Sequence, residues 1–198
     1  IRALPVVLAE SPRLPIETPR VNGSINLQGA RVDDLTLTDH RTGLEEDSPP
    51  VRLFAPSGTK NAYFSRFGWA GDGVALPDDQ TIWTADKAKL TPESPVTLRW
   101  SNDTGQTFAI TLAIDENYLI TAEQSVTNRG ENAIALKPYS LINRTRDLNN
   151  VPAGEASSWT IHIGPVGVFD GAANYDVDYE NLAGEDPGFF TNMFGTSA

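Results

Sequence analysis

Pro95-Val-Thr-Leu-Arg-Trp-Ser-Asn-Asp-Thr-Gly-Gln-Thr-Phe-Ala-Ile-Thr-Leu-Ala-Ile-Asp115 decides the fold class. Phe108, Ile110, Leu112 and Ile114 alternate with Thr107, Ala109, Thr111 and Ala113, so a period of two puts all the large apolar side chains on one face of an extended strand. Val96, Leu98 and Trp100 alternate with Thr97 and Arg99 in the same way. Between the two runs, Asn102-Asp-Thr-Gly105 supplies side chains that bond their own backbone and a glycine that tolerates positive φ, which is the chemistry of a turn. Residues 95–115 therefore read as a β-hairpin with one buried face.

The same pattern extends outward. Leu35 and Leu37 alternate with Thr36 and Thr38. Ile120, Ala122 and Val126 share a face of a further strand, Tyr118 to Thr127, closed by a turn around Asn128 to Asn132. Ile134 and Leu136 start another strand that Pro138 is expected to end, and Trp159, Ile161 and Ile163 make one more, with His162 on the opposite face. No stretch of ten or more residues holds a 3.6-residue period. Consecutive hairpins without βαβ units predict an antiparallel, all-β sandwich. Residues 1–20 carry Pro5, Pro12, Pro15 and Pro19; each lacks a ladder donor and biases its predecessor, so this stretch reads as a linker.

Composition bounds the function. The 198 residues suit one sizeable domain, able to bury roughly 70% of the surface its unfolded chain would expose. With Ile1 first and Met193 the sole methionine, the chain is expected to be part of a longer protein. The longest apolar run, Leu4 to Ala9, is far short of the ~18 residues of a membrane span, and no signal-peptide pattern opens the chain. Cysteine is absent and there are two histidines, His40 and His162, so neither disulfides nor a thiolate or histidine metal cage is expected. The net charge is −11, and the stretch from Asp147 to Ala198 has acids but no Lys or Arg. Such a field disfavours nucleic acid and anionic lipid surfaces as partners.

The search for chemistry yields no catalytic, cofactor-binding or metal-binding residue. There is no phosphate loop, zinc spacing or nucleophile elbow. Glu45, Glu46 and Asp47 lack the alternate spacing and central glycine of a calcium loop and read as a solvated loop. Asp33 and Asp34 read as a turn leading into a strand, and Asp78, Asp79, Asp115 and Glu116 as turn residues. His40 and His162 could act as acid or base in a sugar-binding sandwich, but no flanking signature supports that role. Trp100 and Trp159 sit on apolar faces and are expected in the core; Trp69 and Trp83 could pack there or line a groove.

Thr18-Pro-Arg-Val-Asn-Gly-Ser-Ile-Asn-Leu-Gln-Gly-Ala-Arg-Val-Asp-Asp-Leu-Thr-Leu37 resembles the opening of the periplasmic domain of YidC membrane protein insertases, particularly the α-proteobacterial type. Similar segments follow in order: Ser48-Pro-Pro-Val-Arg-Leu53, Ala55-Pro-Ser-Gly58, Asn61-Ala-Tyr-Phe64, Phe67-Gly-Trp69, Thr81-Ile-Trp83-Thr, Leu90-Thr-Pro92, Pro95 to Leu98, Tyr139-Ser-Leu-Ile142 and Gly164-Pro-Val-Gly-Val168. The resemblance covers about Pro15 to Leu182. It implies an antiparallel β-supersandwich of the galactose mutarotase-like kind over residues 21–182, incomplete at its C-terminus, with residues 183–198 an unmatched tail. It also implies a non-catalytic module on the periplasmic side of the bacterial inner membrane, following a membrane helix outside this chain. The implied partners are nascent membrane proteins and the Sec translocon, and no cofactor is implied. The alternative is a mutarotase-like carbohydrate enzyme or binding protein, which would need a histidine and a carboxylate converging in a cleft.

Overall fold

The computed structural model describes residues 1–145, 162–169, 171–175 and 178–179. The chain divides into two compact units, residues 1–145 and residues 146–198.

In the first unit, alternation becomes sheet. Strands β1 (Arg13–Glu17), β2 (Val21–Asn26), β3 (Arg31–Arg41), β4 (Pro50–Phe54), β5 (Tyr63–Ala70) and β10 (Lys137–Arg144) form one antiparallel sheet. Its order is β1-β2-β3-β5-β10. Beyond its pairing with β2, the eleven-residue β3 pairs β5 through Arg31–Val32 and β4 through Leu35–Arg41. The second sheet is the antiparallel series β6 (Thr84–Ala85), β7 (Val96–Ser101), β8 (Gln106–Ile114) and β9 (Ile120–Asn128).

The hairpin of β7 and β8 has the register that its alternation requires, with Leu98 opposite Ile110 and Trp100 opposite Phe108. Gly105 turns it at φ +93°, and the Asn102 carboxamide oxygen accepts from the Thr104 and Gln106 amides. Phe108, Ile110 and Leu112 are wholly buried. The outer face carries paired hydroxyls, Thr97 with Thr111 at 3.1 Å and Ser101 with Thr107 at 2.8 Å. On β9 the even-numbered residues face inward: Ile120, Ala122 and Val126 pack on the core, and Gln124 donates from Nε2 to the Gly68 carbonyl at 2.8 Å, bridging the sheets.

Both sheets contribute to one core. Leu14, Ile16, Ile25, Val32 and Leu35 come from the first, and Val96, Leu98, Phe108, Ile110 and Leu112 from the second. Across the interface the Trp69 ring meets Phe108 edge-on at 5.1 Å and stacks on Trp83 at 6.3 Å. The fold is thus an all-β antiparallel sandwich.

Three expectations change. Residues 1–20 are not simply a linker: Leu4–Leu8 form a short helix, α1, with Pro5 in its first turn, and Arg13–Glu17 form an edge strand. Leu14 and Ile16 are 3% and 1% exposed, so burial of two large side chains outweighs the prolines. Pro15 is compatible because it offers only an acceptor, and its carbonyl accepts from the Leu90 amide at 2.9 Å. Pro138 likewise stands inside β10, opposite Trp69, rather than ending a strand. β10 pairs only β5 among the described residues, and such an edge accommodates a missing donor. The sandwich expected over 21–182 is described as one sheet pair only within residues 1–145, and it starts before residue 21.

In the second unit, β11 (Gly167–Phe169) and β12 (Ala172–Asn174) form a small antiparallel pair. His162 and Ile163 precede it outside any strand. Trp159, Ile161 and the tail 183–198 lie outside the described residues.

Candidate functional site

The first sheet holds a charged network on the face turned from the core. Ser24 pairs with Asp34 and Ile25 with Val32, so Asp33 is the extra residue of a β-bulge. A bulge brings two successive side chains toward the same side, where regular alternation would separate them. Asp33 and Asp34 are therefore buried inside β3, 1% and 8% exposed, and not in a turn leading into it.

Each has its own arginine. Arg13 donates to Asp33, and Arg52 to Asp34. Ser24 ties the pairs together: its hydroxyl accepts from Arg13 Nε at 2.7 Å and donates to Asp34 at 2.7 Å. Burial pushes the Asp33 carboxyl above the usual carboxylate range; the positive charge of Arg13 is the strongest opposing influence, with Arg31 a weaker one. Asp78 shows the reverse in an exposed turn, where the Thr81 hydroxyl and the Gln80 amide hold its carboxyl below the usual range. Sequence reasoning missed the arginines of this network. The signal available was Arg13-Leu-Pro-Ile-Glu17, whose own period of two marks a strand.

Beside the network lies a polar cavity of about 220 Å³. It is lined by Arg31 and Asp33 of β3, Asn26 of β2, the 56–58 loop and the N-terminal segment. That segment is pinned by the Arg2 amide donating to the Gly58 carbonyl at 2.9 Å, by the Arg2–Glu10 ion pair and by the buried Val7.

The residues weighed for chemistry do not converge here. His40 stands exposed at the end of β3, its Nε2 3.5 Å from the Tyr118 hydroxyl. His162, in the second unit, places Nδ1 3.0 Å from the Asp178 carboxylate and Nε2 3.2 Å from the Pro165 carbonyl, so both nitrogens face protein acceptors and neither is left for a substrate. Trp69 and Trp83 are core residues, and Trp100 is partly buried against the same core. Glu45, Glu46 and Asp47 are exposed between β3 and β4. Among the described residues no group of three or more His, Cys, Asp or Glu could hold a metal ion. His162 and Asp178 do form a histidine–carboxylate pair, but neither residue lines the cavity described above.

Comparison with known proteins gives the family. Residues 13–192 match the model of the YidC periplasmic domain. The chain is 50% identical over 176 residues, 89% of its length, to a membrane protein insertase YidC of Zymomonas mobilis. It is 41% identical over 175 residues, 86% of its length, to the YidC of Rickettsia bellii. Against the YidC of Acidiphilium cryptum it is 40% identical over 188 residues, 89% of its length. It spans about 30% of each of these relatives. A match that begins at the first residue of β1 and runs through both sheets of the sandwich shows that this chain belongs to the YidC periplasmic domain family.

Proposed function

We propose that this chain is the non-catalytic periplasmic module of a membrane protein insertase, held at the inner membrane by helices outside it. In that role it assists the insertion and folding of inner-membrane proteins, alone or beside the Sec translocon. The observation that carries this reading is the family match over residues 13–192, with 50% identity to a protein named as an insertase. Two features agree with it. No described helix is long and apolar enough to cross a membrane. The net charge of −11 suits protein partners better than nucleic acid or anionic headgroups.

The test is photo-crosslinking in the full-length protein, with a photoreactive amino acid placed at exposed Leu141 or Ile142 on β10, or at exposed Ser125 on β9. Adducts with a nascent membrane protein or with Sec components support the reading. Labelling no stronger than at random among periplasmic proteins, from all three positions, refutes it.

A further inference from the structure

Across the first sheet, on the face away from the core, one row of register partners runs Arg13–Asn26–Arg31–Arg66–Leu141. It places three arginines in one row, Arg31 beside Arg66 and Arg13 beyond Asn26, in a chain whose net charge is −11. Arg31 and Arg66 are directly opposite on antiparallel strands, and like charges so placed repel. Arg13 is matched by Asp33, whereas neither Arg31 nor Arg66 has an ion pair among the described residues. Two donors in this row, Arg13 Nη1 and Arg31 Nε, are buried without an acceptor. A buried guanidinium donor left unpaired is costly, so the row is short of an anionic oxygen.

The cavity is lined by Arg31 of this row, whose Nε is buried and whose terminal nitrogens are the ones left to meet a ligand; Arg13 is outside the lining. Its other charged residues are already paired, Arg2 with Glu10 inside the lining and Asp33 with Arg13 outside it. Ser11, Ser57 and Gln28 also belong to the lining, Gln28 with its Nε2 donating to Gln80. The planar fork of Arg31 matches a carboxylate through two parallel bonds. At about 220 Å³ the cavity has room for a group of amino-acid size.

We propose that this cavity takes an α-carboxylate, either of a free amino acid or of a peptide C-terminus, with Arg31 as its cationic anchor. Arg66, opposite, adds to the local positive charge, and the serine hydroxyls offer further donors.

The test is a titration of the full 198-residue chain followed by amide and arginine Nε–Hε resonances in nuclear magnetic resonance. Four probes are used: N-acetyl-alanine, its C-terminal amide, free alanine and inorganic phosphate. N-acetyl-alanine is expected to shift the Arg31 Nε–Hε resonance saturably, and the amide is not. Stronger binding of the acetylated acid assigns the site to peptide ends; stronger binding of free alanine assigns it to amino acids. Arg31→Gln is expected to weaken binding at least about tenfold, with Arg31→Lys intermediate because it keeps the charge and loses the fork. Should Arg31→Gln not fold, Ser57→Trp fills the cavity from its exposed loop and is expected to abolish the shift. Equal shifts from acid and amide, tighter binding of inorganic phosphate, unchanged affinity in Arg31→Gln or Ser57→Trp, or no saturable shift in the parent chain would each overturn the proposal.

Discussion

Truncating Ile110 tests the packing of the sandwich at its centre. Its side chain is wholly buried, on the same face as the equally buried Phe108 and Leu112, and opposite Leu98 on the neighbouring strand. Ile110→Ala removes three carbons from a site with little room to collapse, and such changes cost about 2–5 kcal/mol. Thr111, one residue along, points to the other face, is only half-buried, and offers a hydroxyl to Thr97 at 3.1 Å. Thr111→Ala forfeits that bond, worth about 1 kcal/mol. With a urea dependence of about 2 kcal/mol per molar, a mid-range loss of about 3 kcal/mol moves the Ile110→Ala midpoint down by about 1.5 M. The Thr111→Ala midpoint moves by about 0.5 M or less on the same scale. Urea unfolding followed by tryptophan fluorescence reads both. Equal shifts would mean that β8 is equally buried on both faces, and the reverse order would place the register one residue out.

Deleting residues 1–17 removes Leu14 and Ile16 from the core along with β1, so the shortened chain should unfold at markedly lower urea; an unchanged midpoint would restore the linker reading. Arg13→Met leaves Asp33 buried without its principal partner. Because the native Asp33 pKa is raised above 3.8, its contribution to stability is fully present below pH 3.8 and is lost as pH rises through the native value. Without Arg13 that pKa rises further, so the deficit relative to the parent should be small below pH 3.8 and grow toward about 3–5 kcal/mol at neutral pH. A deficit independent of pH in urea titrations would show that the pair is not electrostatically coupled. At Gly23 a Cβ would lie 1.9 Å from the Asp34 carbonyl oxygen, a backbone atom that cannot step aside. Gly23→Ala should therefore separate β2 from β3 beside the bulge and cost at least about 1–3 kcal/mol; a parent-like midpoint would mean that the two strands are less closely apposed.

The strands with one buried and one open face were legible because a period of two is a purely local signal. Residues 96–101, 106–114 and 120–128 show it, and the turn chemistry of Asn102 and Gly105 pinned the first hairpin. What was illegible depended on residues far apart. Pro15 and Pro138 argued locally against strands, and only the edge positions of β1 and β10 make them acceptable. Asp33 and Asp34 looked like turn residues because two adjacent acids in a strand are costly. Their cost is offset by Arg13 and Arg52, which are 20 and 18 residues away. The bulge that aims them to one side leaves no mark in the local pattern. Trp69 and Trp83 could not be placed because their partners, each other and Phe108, come from different sheets or loops.

The most direct measurement is membrane insertion in bacterial cells depleted of their own insertase and supplied with the full-length gene that contains this chain. Insertion of a multispanning inner-membrane protein is followed by protease protection in spheroplasts. Recovery of insertion, with residues 13–192 themselves digested by protease added outside the spheroplasts, is the expected result. Failure to restore insertion when the protein is made and membrane-bound, or protection of this segment from external protease, would contradict its assignment as the periplasmic module of an insertase.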